Sequence, residues 1–442
     1  MTVEAQRDQP VLRRSIGTTQ LALYALGSMV GSGIYGLIGK AAGAAGSAVW
    51  LSFLAALVAA LLTSLSYASL GSRYPRAGGA AYVTDRAFRL PVLSFTIGLA
   101  LVASGLTSIA TQSKIFAAIV ADLAGLEALS PTVIAIGFLL ILSGIVFRGI
   151  RESMWFNVVC ALMEVSGLLL IIASGLSYWG TVDYFEIPPE RAAEGLPLVV
   201  LQASVLAFFA FIGFEDAINV AEECREPERT IPRGLIIATL AAAFLYVAVS
   251  ITAVSVVPWQ ELATAPSPLT AVMQRSAPSI PPGVMTFIAL FSVANTALVN
   301  YVTASRLIYG MSGQGLLPSL VGRIHATRRT PHIAIAALLA LLLLLAIAGQ
   351  IADLAAATVL LLLVIFIAVN ASLVVLKRRP GEARGSFEIP LALPIAGVAV
   401  CAILLVTRLA SSDWRAPALA AALLAGILAI YVSLRLTKAS DR

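Results

Sequence analysis

A series of long apolar runs, separated by short charged segments, constrains this chain more than any other feature of its sequence. Apolar residues make up 59% of the 442 residues and charged residues only 12%, about half the share usual in a soluble domain. A helix crosses the hydrocarbon core of a bilayer with about 20 apolar residues. The runs lack the ten-residue alternation of a membrane barrel. They predict an all-α integral membrane protein and exclude a soluble enzyme, a coiled coil and a disordered chain.

Twelve of these runs are predicted to be membrane-spanning helices. We place them at residues 17–39, 46–71, 91–121, 131–147, 154–175, 197–221, 233–256, 283–311, 332–348, 353–376, 390–409 and 416–436. Most of the 29 Lys and Arg residues fall in alternate connecting segments, and such segments stay on the cytoplasmic side. We therefore expect cytoplasmic tails at 1–15 and 437–442. The basic excess indicates topology, so no nucleic-acid partner is expected.

Residues that carry most enzyme chemistry are scarce. The chain has 3 cysteines, widely spaced, and 2 histidines, of which His325 lies outside the predicted spans and His332 is the first residue of one. No disulfide framework, metal site or cofactor is predicted from such a set. An intramembrane enzyme would need a nucleophile and a base at membrane depth, and a channel would need a lined pore without broken helices. Both classes are disfavoured.

The first span carries glycines that an ordinary membrane helix would avoid. Gly27, Gly31, Gly33 and Gly36 lie in its middle, and each weakens a helix by about 1 kcal/mol relative to alanine. One interpretation is that Gly31 to Gly33 unwind and a new half-helix begins at Ile34, with its free N–H groups ready to bind an anion. The other is close helix packing through Gly27 and Gly31. The sequence leaves both open.

The sixth span places two carboxylates beside a glycine. Gly213 follows three aromatic residues and precedes Glu215 and Asp216. Carboxylates at membrane depth are costly and usually functional. A helix broken near Gly213 would direct carbonyl groups at a cation, and Glu215, Asn219 and Glu222 would share one helical face. The alternative is that the carboxylates lie near the inner surface and meet water or arginines.

The two glycine-interrupted spans hold equivalent positions, because each is the first in a group of five spans. Paired interruptions of this kind indicate a transporter built from inverted repeats with its site at the midplane. In the eighth span, Ser292, Thr296 and Thr303 share one face, with Asn295 and Asn300 beside it. That stripe is interpreted either as helix packing or as part of an ion site.

Four segments of the chain resemble one family. They are GSMVGSGIYG in the first span, GIRESMWFN before the fifth, FFAFIGFEDAINVAEECREPERTIPRG in the sixth and ANTALVNYVTASRLIYGMSGQGLLP in the eighth. They resemble the amino acid–polyamine–organocation superfamily of permeases over residues 15 to 435. The resemblance implies a LeuT-like fold, with one five-helix repeat at 16–175, an inverted repeat at 197–376 and two further helices at 390–436. It also implies amino-acid transport across the cytoplasmic (inner) membrane.

The resemblance further implies roles for particular residues. The carboxylate of the substrate would meet backbone N–H groups at Gly31, Ser32, Gly33 and Ile34. Its ammonium would meet the carbonyl groups of Met29, Phe209 and Ile212. Phe209 would also be an aromatic gate above the site. Glu215 would lie at the side-chain pocket.

One position departs from the family pattern. Many members hold a lysine in the middle of the fifth span, whereas this chain has Glu164 in NVVCALMEVSGLL. Lysine-based coupling to protons is therefore not expected. Burial disfavours a charged carboxylate, so Glu164 is a candidate to carry a proton across. The alternative is a protonated acid that only bonds a neighbouring helix.

We predict a secondary transporter that moves an amino acid or a related amine through the bilayer by alternating access, with proton coupling as one hypothesis. The alternative is an exchanger of polyamines or cationic amino acids.

Overall fold

The computed structural model describes residues 14–76, 78–124, 130–265, 267–348, 352–409 and 415–440. Within these ranges the regular secondary structure is helical, and the single extended pairing is a β-bridge between Ile16 and Cys224. The α-helices are α1 Thr18–Met29, α2 Ser32–Ala45, α3 Val49–Arg73, α4 Gly79–Phe88, α5 Pro91–Ala124, α6 Pro131–Arg148, α7 Ile150–Gly175, α8 Leu196–Ala210, α9 Asp216–Asn219, α10 Pro227–Val256, α11 Trp259–Thr264, α12 Pro268–Ser276, α13 Gly283–Gly313, α14 His332–Ala348, α15 Ala352–Arg378, α16 Ala392–Leu409 and α17 Arg415–Ser440.

Seven helical segments of the described residues are long and apolar enough to cross a membrane, and four shorter apolar helices accompany them. The protein is therefore all-α and crosses the membrane several times. Several helices extend beyond the predicted spans: α7 begins at Ile150, where 154 was predicted, and α10 begins at Pro227, where 233 was predicted. The physical reason is that backbone hydrogen bonding continues into the polar surface, where hydropathy gives no signal.

The first predicted span is broken, as the glycine cluster suggested. α1 ends at Met29, Val30 and Gly31 leave the helix, and α2 begins at Ser32 with Gly31 as its N-cap. The new helix thus begins two residues before the predicted start at Ile34. Gly27 also packs closely against a neighbouring helix, which was the alternative interpretation of the glycines in this span. A Cβ added there would lie 2.9 Å from Ala161 Cβ on α7.

The sixth predicted span is also broken. α8 ends at Ala210, and residues 211–215 form a turn in which Gly213 has φ +128°. α9 then covers only four residues before a 3-10 turn at Ala221–Glu223. The prediction that Glu215, Asn219 and Glu222 share one helical face is therefore wrong, because the helix ends at Asn219.

The two broken helices lie together inside the bundle. α1 packs against α10, α7 and α13, while α2 packs against α8. α13 also packs along α5, and α3 lies along α10. This packing brings the two breaks next to each other and next to the middle of α5 and α13.

Candidate functional site

The turn at Gly213 lies directly against the end of α1. A Cβ added to Gly213 would lie 2.7 Å from the backbone carbon of Ser28, and its positive φ is unfavourable for any side chain. On the other side of this contact, Ser28 Oγ donates a 2.6 Å hydrogen bond to Asp216 Oδ2. The breaks in the first and sixth predicted spans are therefore in direct contact with each other.

Tyr246 on α10 joins the same two breaks from behind. Its hydroxyl oxygen lies 2.7 Å from the Met29 carbonyl oxygen and 2.9 Å from the Ala210 carbonyl oxygen. These are the last helical residues of α1 and α8. The Met29 oxygen also accepts the Gly31 N–H at 2.8 Å, so both of its lone pairs are used in this conformation.

A cavity of about 80 Å³ lies where the breaks meet. One water molecule needs roughly 10–15 Å³ of the space that a water-sized sphere can occupy, so the cavity has room for about six waters. The broken helices, α5, α13 and α15 line it: Ser28, Met29, Gly31, Gly33, Phe209, Ile212, Gly213, Glu215, Asp216, Leu101, Ser104, Gly105, Ser108, Gln112, Thr296, Asn300, Thr303, Ala304 and Leu362.

The structure places most of the predicted site residues at this cavity. Met29, Gly31, Gly33, Phe209, Ile212 and Glu215 line it. Ile34 is not part of that lining, and Ser32 and Ile34 belong to the first turn of α2. The first N–H groups of a helix have no partner within it. Gly33 also brings α2 close to α8, because a Cβ there would lie 3.0 Å from Ala210 Cα.

Glu215 and Asp216 are both buried at the cavity wall, with exposed fractions of 3% and 4%. Glu215 Oε2 accepts the Gly213 N–H at 2.8 Å. Neither carboxylate forms an ion pair with a lysine or arginine in the part of the chain that the structure describes. Of the alternative that they meet water or arginines, the arginine part is therefore not seen among these residues. The cavity contains two acidic side chains without a neutralising cation.

Glu164 lies outside the cavity lining, just past the middle of α7, and is fully buried. Neither carboxylate oxygen has a partner within hydrogen-bond geometry in the described residues. Tyr35 on α2 donates a 3.1 Å bond to its backbone carbonyl. Asn295 lies beside it and donates a 3.2 Å bond to the Gly27 carbonyl on α1. Glu164 therefore lies between the two halves of the first broken helix.

The polar stripe on α13 mainly holds helices together. Asn295 Oδ1 accepts from Asn157 Nδ2 at 2.8 Å, and Thr303 Oγ1 lies 3.1 Å from Tyr24 Oη. Asn300 Nδ2 donates to the Thr296 carbonyl at 2.8 Å. Thr296 faces the cavity, and its hydroxyl has no partner among the described residues.

The sequence reasoning missed the contribution of α5. Ser104, Ser108 and Gln112 lie at intervals of four residues, so they share one helical face, and that face lines the cavity. The spacing was visible in the sequence as a polar row in an apolar helix. Tyr246 was missed as well, because one tyrosine within a long apolar run gives no comparable signal.

A second polar cluster lies near the cavity, on the side of the connecting segments that are rich in lysine and arginine. Arg306 on α13 and Glu223 form an ion pair at 3.2 Å with both side chains fully buried. The Glu223 carbonyl accepts the N–H groups of Ser15 and Ile16 at 2.8 and 3.0 Å. The segment before α1 is thus attached to the segment after α9.

Sequence comparison with known proteins decides the family. A profile described as amino acid permease matches residues 16–422. The chain belongs to the amino acid permease family. This result confirms the resemblance to the amino acid–polyamine–organocation superfamily and identifies a transporter, not an enzyme.

Among its relatives, the permease is 26% identical to a branched-chain amino acid permease of Bacillus subtilis, covering 90% of this chain and 88% of that protein. It is 28% identical to a methylthioribose transporter of the same organism, covering 90% and 89%. It is 32% identical to cationic amino acid transporter 4 of Mus musculus, covering 76% of this chain and 55% of that protein. These relatives differ in the substrates that their names state, so the side-chain pocket must be judged from this chain.

Proposed function

We propose that this permease is a secondary active transporter that carries amino acids across the cytoplasmic membrane by alternating access. In this proposal twelve helices span the membrane, residues 16–175 and 197–376 form two inverted repeats, and residues 390–436 form two further helices. Both termini face the cytoplasm. The observation that carries the proposal is that the first and sixth predicted spans both break, and that the two breaks meet at one buried cavity.

The backbone at the breaks would recognise the zwitterionic part of the substrate. The carboxylate would accept from the N–H groups that begin α2, around Ser32 and Gly33, where the helix dipole also favours an anion. The ammonium would meet the carbonyl groups of Phe209 and Ile212. Within the described residues no hydrogen bond is made to the Ile212 carbonyl. The Met29 carbonyl would contact the ammonium as well only if Tyr246 moves, because the Met29 carbonyl already accepts two hydrogen bonds.

Glu164 is the proposed coupling residue. It is buried between α1, α2 and α13 and has no ionic partner among the described residues. A proton taken up there would remove a buried charge beside the first broken helix, and release of that proton would restore it. The position thus links protonation to the helix that binds the substrate carboxylate.

The second candidate is an exchanger of cationic amino acids or polyamines. The observation that favours it is the pair of buried carboxylates, Glu215 and Asp216, at the cavity wall. A buried charge without a partner is costly, and a cationic side chain on the substrate would neutralise it. A neutral substrate would instead require these carboxylates to be protonated.

The test is uptake of labelled leucine and labelled arginine by the purified permease in proteoliposomes. A carrier gives saturable uptake and counterflow, in which unlabelled substrate inside the vesicle accelerates entry of label. A flux that does not saturate, with a continuous ion current, would contradict the proposal and indicate a channel. Preference for arginine or putrescine over leucine, lost in Asp216→Asn, would establish the second candidate.

A further inference from the structure

Four arginines converge at the inner ends of α6 and α7. Arg148 and Arg151 come from the junction of these helices, and Arg328 and Arg329 come from the loop before α14. Together with Glu152 and Thr327 they line a pocket of about 390 Å³. None of the four arginines has an ion-pair partner within 4 Å among the described residues. The pocket is therefore strongly cationic, with one carboxylate against four guanidinium groups.

The loop that brings Arg328 and Arg329 to this pocket is folded against α6. Thr330 Oγ1 donates a 3.1 Å bond to the Phe147 carbonyl near the end of α6. The backbone N–H groups of Arg328 and Arg329 bond to His325 at 3.2 and 2.9 Å. Local hydrogen bonds thus fix the backbone of the loop that carries Arg328 and Arg329, which lowers the backbone entropy lost when an anion binds.

The first turn of α7 opens into the same pocket. Gly149 and Ile150, where this 26-residue helix begins, are part of its lining. The first N–H groups of a helix have no partner within it, and the helix dipole adds partial positive charge. The pocket therefore combines guanidinium groups with backbone donors, which is the chemistry that binds a phosphate.

A groove of about 730 Å³ continues from this pocket along the first turns of α7. Arg148, Arg151 and Glu152 belong to the lining of both. Beyond them the lining is apolar except for Gln20; it includes Leu23, Ile145 and Trp155, and the Trp155 side chain is 70% exposed. Tryptophan at this level is typical of the boundary between headgroups and acyl chains.

We propose that the pocket and the groove together form a binding site for one anionic phospholipid. The phosphate lies among the four arginines at the start of α7, and an acyl chain lies in the groove against Trp155. Charge complementarity selects an anionic headgroup over a zwitterionic one, because one carboxylate opposes four cations. The adjoining groove favours a lipid over a free phosphate. Under the orientation proposed above, the lipid belongs to the inner leaflet.

The test is native mass spectrometry of the detergent-purified permease titrated with phosphatidylglycerol or phosphatidylcholine. We expect one phosphatidylglycerol to be retained with about tenfold higher affinity than phosphatidylcholine. The variant Arg148→Gln/Arg151→Gln should lose about 25-fold in that affinity, because each arginine near the membrane surface contributes roughly a fivefold effect. The readout is binding, so it is independent of whether amino acids are transported.

The matched control is Arg233→Gln/Arg378→Gln, which removes two exposed arginines from the same basic face outside the pocket. It should leave phosphatidylglycerol binding unchanged, whereas Trp155→Ala should weaken it. Equal retention of the two lipids, or equal losses in the two arginine variants, would show a general attraction of the basic face and overturn the proposal. Displacement of the lipid by millimolar inorganic phosphate would show a soluble-anion site and overturn it as well.

Discussion

At the scale of single residues, the polar side chains around the end of α1 matter most. Asn295 links the Gly27 carbonyl to Asn157, and Glu164 lies next to this link without a hydrogen-bond partner of its own among the described residues. Ser28 and Asp216 form the corresponding link on the cavity side. A change of charge at Glu164 would therefore reach α1 through Asn295 of α13.

Glu164→Gln tests the coupling role because glutamine keeps the shape of the side chain but cannot release a proton. We expect accumulation driven by a pH gradient to disappear while exchange across the membrane survives, measured in proteoliposomes. Glu152→Gln, at the exposed start of the same helix, is the control and should transport normally. Unchanged pH dependence in Glu164→Gln would leave Glu164 as a purely structural acid.

Gly213→Ala tests the contact between the two breaks. The positive φ disfavours alanine by roughly 1–2 kcal/mol, and its Cβ would also have to displace the Ser28 backbone at 2.7 Å. Gly381→Ala is the control, since its φ is +75° but its Cβ would meet nothing within 4 Å. Thermal unfolding in detergent should show a much larger loss of stability for Gly213→Ala, together with loss of substrate binding. Equal losses would mean that backbone strain alone sets the cost.

At the scale of elements, the segment between α15 and α16 is fastened to the end of α3. Glu388 accepts two hydrogen bonds of 2.7 Å from Arg73 and one of 2.5 Å from Lys377. Partial burial alone would raise the pKa of Glu388, but these bonds outweigh it and lower the pKa to about 2. The carboxylate therefore holds three segments together only while it is ionised.

Glu388→Gln should lower the thermal unfolding temperature at pH 7. Because the folded pKa is depressed, the stabilisation is complete above about pH 4.3, the usual unfolded value. It is lost as the pH falls through the folded pKa near 2. The difference between the variant and the unmodified protein should thus shrink as the pH falls from about 4.3 toward 2. Glu226→Gln, in an exposed pair at 3.7 Å, should have little effect at any pH. A difference independent of pH would contradict the role of the charge.

At the scale of the whole molecule, the buried ion pair between Arg306 and Glu223 lies near the cavity where the two breaks meet, and the connecting segments rich in lysine and arginine define the proposed basic face. The proposed orientation puts that face in the cytoplasm. The 3 cysteines of the chain are buried, so an introduced exposed cysteine will dominate labelling by an impermeant thiol reagent.

Arg378→Cys and Glu190→Cys test the proposed orientation, because both positions are exposed and the proposed topology puts them on opposite faces of the membrane. In intact cells the reagent should label Glu190→Cys and spare Arg378→Cys, while both should react after the membrane is opened. Labelling of Arg378→Cys in intact cells would reverse the assignment of the termini.

The sequence by itself determined the all-helical membrane class, and it marked the glycine clusters at which the first and sixth spans could break. These properties are local: apolar length selects helices in lipid, and glycine at a particular position weakens one turn. Only the tertiary structure decided that Glu215 and Asp216 face the cavity without a cation, that Tyr246 joins Met29 to Ala210, and that α5 supplies a wall. The physical reason is that membrane helices are apolar toward both lipid and protein. Their hydrophobic pattern therefore does not show which face turns inward, and contacts between distant segments fix that choice.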